Sequence, residues 1–197
     1  MPAGSPVPAR PAHRPSAREA MLGAAEAHLG AGGTLTLDSA ARAAGVTKPG
    51  LMYHFATKEE LLAAVVEHVA ARCERQILAR IAAREGGAAR DLTAVPARER
   101  FLAYLDWSAT ADLSPAELAI FADPSLRDSM TRRWQEQSER WLDVPAGTPT
   151  AQRRRLLAVR LMADGLWFDR ASGLLETSDQ ENAALTELAE EMLGEES

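Results

Sequence analysis

Residues 44–58 read Ala-Gly-Val-Thr-Lys-Pro-Gly-Leu-Met-Tyr-His-Phe-Ala-Thr-Lys, and the order of these side chains describes a tight turn followed by a short helix. Gly45 stands where the chain must turn sharply between two helices, a place that often needs a positive φ, which glycine adopts without a Cβ penalty. Ala44 is small enough to let the helices approach, and Val46 can plug the corner. Thr47 is a suitable N-cap, and Lys48-Pro49-Gly50 would form the first turn, where proline's missing N–H costs little. Leu51 and Phe55, four apart, then face the core, while Pro49 and Tyr53 look outward. This is the pattern of a helix-turn-helix, and it points to duplex DNA as the partner. The stretch also contains both lysines of the chain, Lys48 and Lys58, since the other 20 of the 22 Lys+Arg residues are arginine.

The flanks supply the surroundings that such a motif requires. Upstream, Ser16-Ala-Arg-Glu19 is a capping box; Met21, Leu22, Ala25 and Leu29 follow at helical spacing until Gly30 and Gly32-Gly33 stop the helix. Thr36 can cap a short second helix whose apolar positions Leu37, Ala40, Ala41 and Ala44 form one stripe. Downstream, Thr57-Lys-Glu-Glu60 is another capping box, opening a long helix through Leu61, Leu62, Val65, Val66 and Val69.

Helix, Gly-rich break, Thr36, Ala44-Gly45-Val46-Thr47, Leu51, His54-Phe55 and Thr57-Lys58-Glu59-Glu60-Leu61 match in register the DNA-binding domain of the tetracycline-repressor (TetR) family, which residues 16–66 therefore resemble. By that resemblance Thr36, Tyr53, His54 and Lys58 grip phosphates, and Thr47, Lys48, Pro49 and Gly50 face base edges. A cap hydroxyl at Thr36 or Thr47 and a backbone-bonded His54 are compatible with phosphate contact. Two positions depart from the family: Met52 stands where tyrosine is common, and Gly50 where threonine or serine is. Base readout is then narrow, leaning on Lys48 and on contacts of Pro49 with thymine methyls.

At 197 residues with 46% hydrophobic side chains, the chain can build a small domain joined to a larger one. A formal charge of −6 looks wrong for a DNA binder until it is divided. Residues 1–60 hold six Lys+Arg against five Asp+Glu, leaving 16 against 23 for the remainder. The acidic part would be held away from DNA, and affinity would rest on a few local cations. Residues 1–15 carry five prolines and no apolar run, so they are expected to be a disordered arm rather than a secretory signal. The expected divisions are thus that arm, a helix-turn-helix domain over 16–62 and a helical domain over 63–197. One cysteine, Cys73, cannot form an internal disulfide, and no apolar stretch of about 18 residues suggests a membrane span. The cytoplasm is the expected location.

Beyond residue 60 every punctuation mark indicates helices. The long helix is expected to reach about Arg84, with later starts at Pro96, Ser114-Pro-Ala-Glu117, Asp123-Pro124, Thr148-Pro149 and Ser178-Asp-Gln-Glu181. The fold class is therefore all-α, with about nine helices. Residues 156–175 are apolar on nearly every side, so they need cover on nearly every side. The resemblance implies that the last two long helices pair across a two-fold axis in a homodimer. The interface is then assigned to Leu161, Leu166, Trp167, Leu174, Leu185 and Leu188, and two recognition helices imply a palindromic operator.

In the middle helices Phe101, Tyr104, Trp107, Phe121, Met130 and Trp134 supply bulk for either a core or a cavity, and the resemblance assigns them to a pocket for a small-molecule effector of unknown identity. The function implied is a repressor that an effector releases from DNA. An enzyme is disfavoured because His-Glu-x-x-His, Gly-rich phosphate loops and Gly-x-Ser-x-Gly are absent. No cofactor is expected, and no metal site, His68 with Glu67 or Cys73 being a poor candidate. A helical interaction module without DNA binding, and a regulator that activates or lacks a ligand, remain as alternatives.

Overall fold

The computed structural model describes residues 16–85, 91–113, 116–119, 127–174 and 177–194, and all their regular structure is helical. The expected N-terminal arm and Phe121 lie outside the described residues. Ser16 opens α1 (Ala17–Gly30): its hydroxyl accepts the Glu19 N–H at 3.2 Å while the Glu19 carboxylate accepts the Ser16 N–H at 2.8 Å. Met21, Leu22, Ala25 and Leu29 form its buried stripe. The helix stops at a turn where Gly32 takes φ +77° and Gly33 lies so close to His28 that a Cβ would come within 2.4 Å of the imidazole.

Thr36 caps α2 (Leu37–Ala43), exchanging hydrogen bonds with Ser39, and Gly45 turns the chain at φ +66°. Thr47 then caps α3 (Lys48–Met52), its hydroxyl accepting the Gly50 N–H at 3.2 Å. Five residues are too few for a helix to persist unaided, so α3 exists because Leu51 and Phe55 anchor it at 0% and 1% exposure. From Lys58, with Thr57 accepting the Glu60 N–H, α4 (Lys58–Glu85) runs about 40 Å without interruption.

The body comprises a 3₁₀ turn (Leu92–Ala94), α5 (Ala97–Thr110), α6 (Ala116–Ala119), α7 (Arg127–Leu142), α8 (Thr150–Ser172) and α9 (Asp179–Gly194). The central element is α5, which packs on α4, α7, α8 and α9 and buries Phe101, Leu102, Tyr104, Leu105 and Trp107. It is α5 rather than α8 that is enclosed on nearly all sides. Helix α8 buries Leu156, Val159, Ala163 and Leu166 but leaves Leu157, Leu161 and Phe168 about half exposed.

Arginine's prevalence over lysine has a structural use here. A helix leaves its last carbonyls without intrahelical donors, and a guanidinium fork can satisfy several of them at once. Arg100, 4% exposed, donates to the carbonyls of Val95, Arg140, Trp141 and Asp143 and so closes the end of α7. Burial lowers its pKa, but arginine remains a cation. Arg170 donates to Ser108 and Ala111 at the end of α5, and Arg153 to Pro145, Ala146 and Thr148 between α7 and α8. Lysine, with a single ammonium centre, could not span such sets.

Among the described residues no helix is long and apolar enough to cross a membrane, and no cluster of His, Cys, Asp or Glu is placed to hold a metal ion.

Candidate nucleic-acid interface

The two sides of α3 differ sharply. Leu51 and Phe55 are sealed in the core, whereas Tyr53 is 86% exposed and Lys48 and Pro49 are exposed beside it. Thr36 and Thr47, the caps of α2 and α3, are exposed too, while Gly50, His54 and Lys58 are partly so. His54 packs edge-on against Tyr53, ring centroids 5.1 Å apart at 89°, which limits how far either ring can swing. Of the eight residues assigned to DNA, Thr36 and Thr47 cap α2 and α3, Lys48, Pro49 and Gly50 lie in α3, Tyr53 and His54 follow it and Lys58 opens α4, and each retains some access to solvent. A Cβ at Gly50 would approach the Thr47 hydroxyl to 3.2 Å, so glycine leaves that cap undisturbed.

Two contacts from neighbouring elements reach this surface. The Asp38 carboxylate, in the first turn of α2, accepts a hydrogen bond from the Lys48 ammonium at 2.9 Å. The Arg18 guanidinium lies 5.1 Å from the Phe55 ring centroid, covering the residue that anchors α3. The first contact joins α2 to α3 and the second joins α1 to the segment between α3 and α4, and nothing in local spacing announces them.

A second feature lies in the body, where α5, α7, α8 and the α7–α8 connection line a broadly open cavity of about 990 Å³. Tyr104 and Trp134 line it; Phe101, Trp107 and Met130 do not, being buried in the core, where Trp107 donates its indole N–H to Gln76 of α4 at 2.7 Å. Trp167, assigned from sequence to a subunit interface, lines the cavity within its own chain and stacks on Trp134 with centroids 6.4 Å apart. Leu166 is buried within its own chain and Leu185 packs against the same core, whereas Leu161, Leu174 and Leu188 are exposed. On the cavity wall the Tyr104 hydroxyl donates to Asp164 at 2.9 Å, and Arg160 donates to the other carboxylate oxygen at 3.2 Å. Burial, and then the Asp164 charge, hold the Tyr104 hydroxyl well above the usual phenol range, so it stays a donor. Glu139, Asp143 and Arg153 complete the charged part of the lining.

Helix α4 ties α1 to the helices of the body. Arg72 donates to Glu26 of α1 at 2.7 Å, and Glu74 accepts from Arg140 and from the Trp141 indole of α7 at 2.8 and 3.3 Å. Helix α6 also packs against α1.

The chain matches two family models. Residues 22–65 match the model of bacterial regulatory proteins of the tetR family, and residues 98–194 match a tetracyclin repressor-like C-terminal domain. No curated protein matches the chain at a significant level. The first match begins within α1 and ends within α4, and the second takes in most of α5 and all of α7, α8 and α9. Together the two matches span from within α1 to the end of α9, and the chain belongs to the tetracycline-repressor family of DNA-binding transcriptional regulators.

Proposed function

We propose that the protein is a homodimeric repressor that holds a palindromic operator through α3 and its flanks and releases it when a small apolar or aromatic effector fills the cavity between α5, α7 and α8. The head is residues 16–62 and the body residues 63–197. Thr36, Tyr53, His54 and Lys58 grip phosphates, and Thr47, Lys48, Pro49 and Gly50 meet base edges. The observation that carries this reading is the asymmetry of α3 and the residues after it: Leu51 and Phe55 are sealed in the core while Lys48, Pro49 and Tyr53 are exposed.

Readout and grip have separable signatures. Lys48→Ala should lose discrimination among operator variants, because a base-edge contact carries about 1–3 kcal/mol of preference. Lys58→Ala should weaken binding to all sequences alike and flatten the salt slope by about one. Fluorescence anisotropy across a salt series, with duplexes selected from genomic fragments by the purified protein, measures both. Identical behaviour of the two variants would contradict the division.

Release by an effector is supported by the cavity's aromatic faces, Tyr104, Trp134, Trp167 and Phe168, and by the ties of α4 to both ends of the molecule. A ligand that prefers one arrangement of these ties shifts DNA affinity by its differential affinity for the two states, about 5-fold to 150-fold for a coupling of 1–3 kcal/mol. Effector and operator must then weaken each other's binding by the same factor. Paired titrations, ligand with and without DNA and DNA with and without ligand, check this. A compound that seats tightly in the cavity yet leaves operator affinity unchanged is not the inducer.

A further inference from the structure

The pair between Asp38 and Lys48 sets a carboxylate beside the one cation assigned to base readout. Both side chains are well exposed, at 63% for Asp38 and 46% for Lys48. An exposed ion pair contributes little to folding, and the first turn of α2 is already capped by Thr36 and Ser39. An acid in the first turn of α2 adds only modestly to stability through the helix dipole, so the stability of the head depends little on residue 38. An acid there is also costly on DNA, because every phosphate nearby repels it.

We propose that Asp38 is a specificity-determining residue that holds the Lys48 ammonium for base edges and withholds it from phosphates, an inference that rests on the DNA-binding reading above. A lysine ammonium has three N–H donors. One is engaged by Asp38 at 2.9 Å, and two remain for acceptors such as guanine O6 and N7, which are uncharged. With its ammonium tied in this way, Lys48 can reach a base acceptor without separating from Asp38. Reaching a phosphate requires either breaking the pair or bringing the Asp38 carboxylate against the backbone charge. The acid thus discriminates by penalising the wrong contact, which is how selectivity arises when attraction alone would be indiscriminate. It also compensates for the short readout surface, where Gly50 contributes no side chain.

The test compares the full-length protein with Asp38→Asn, Asp38→Glu, Lys48→Ala and the double variant Asp38→Asn/Lys48→Ala. Binding to a mixed-sequence duplex of about three helical turns is measured across a salt series, and each protein also selects from a random duplex library. Asp38→Asn should tighten mixed-sequence binding by about fivefold near physiological salt and steepen the salt slope by about 0.9, the effect of one more neutralised phosphate. Its selected sequences should be less enriched than those of the unsubstituted protein. Asp38→Glu, which keeps the charge, should stay close to the unsubstituted protein. In the Lys48→Ala background, Asp38→Asn should no longer alter enrichment. Circular dichroism verifies that each variant is folded. Unchanged slope and enrichment in Asp38→Asn would overturn the proposal, as would a steeper slope with unchanged enrichment, which would make the carboxylate a general repellent. An unsubstituted protein indifferent to every duplex would instead sink the DNA-binding reading beneath it.

Discussion

Phe55→Ala is expected to lower the free energy of unfolding by about 3–5 kcal/mol and to abolish duplex binding at temperatures where the body is still folded. Phe55 is 1% exposed, and with Met21, Leu22, Ala40, Leu51 and Leu61 it belongs to the buried cluster that joins α1, α2, α3 and α4. Removing the ring leaves a cavity at the point where a five-residue helix is attached, and α3 has no length of its own with which to resist fraying. The Arg18 guanidinium loses the ring face it covers as well. Leu51, the second anchor, cannot hold both ends of so short an element. Phe55→Leu should cost far less, about 1.5 kcal/mol or below, because it keeps most of the buried volume. Chemical denaturation gives the stability difference, and anisotropy with labelled duplex gives the binding. An alanine variant within about 1 kcal/mol of the parent, or one that binds DNA unchanged, would show that α3 is held by something other than its two buried anchors.

The same anchors explain why the head was legible in the sequence. Each signal there is local: Ser16 with Glu19, Thr36 before α2, Gly45 at a positive φ, Thr47 followed by proline, and an apolar pair four residues apart. A contact between residues three or four apart is visible in the chain itself. Asp38 and Lys48, or Arg18 and Phe55, are brought together only by how helices cross, and periodicity carries no record of that. The head's fold could be read from its spacing, but the contacts that tune its interface could not.

In the body the difficulty was of another kind. Apolar residues around a helix require cover, but their spacing does not say whether the cover is core, cavity or a second subunit. Phe101 and Met130 are core, and Tyr104, Trp134 and Trp167 line a cavity. The most enclosed helix, α5, was the harder to recognise because Arg100 and Ser108 interrupt its apolar surface. Arg100 is tolerated in the interior only because four carbonyls from outside its own helix converge on it, and that convergence is a property of the fold.

Leu157→Arg combined with Leu161→Arg is expected to convert a dimer to a monomer and to reduce affinity for a two-half-site duplex by about 10²–10⁴-fold. Leu157, Leu161 and Phe168 stand at i, i+4 and i+11, so helical geometry puts them on one stripe of α8. Each is 49–57% exposed in the single chain, and Leu188 of the adjoining α9 is 46% exposed. Aliphatic and aromatic side chains aligned in this way over two packed helices make a face suited to a second copy, since a two-fold axis lets the same patch meet itself. Because neither residue is part of the core of its own chain, charging them should leave the melting of the monomer nearly unchanged. Two arginines on each copy would, however, place four cations in one apolar contact without partners, a penalty that association cannot absorb. The DNA consequence follows from geometry. Two tethered heads reach half-sites about 34–36 Å apart, and binding of the first raises the effective concentration of the second to the millimolar range. A monomer forfeits that gain and retains only the weak grip of one α3. Sedimentation velocity and anisotropy on the same preparation decide the matter. A variant that stays dimeric would move the interface elsewhere on the body, and a monomer with undiminished affinity would mean that one head suffices for the operator.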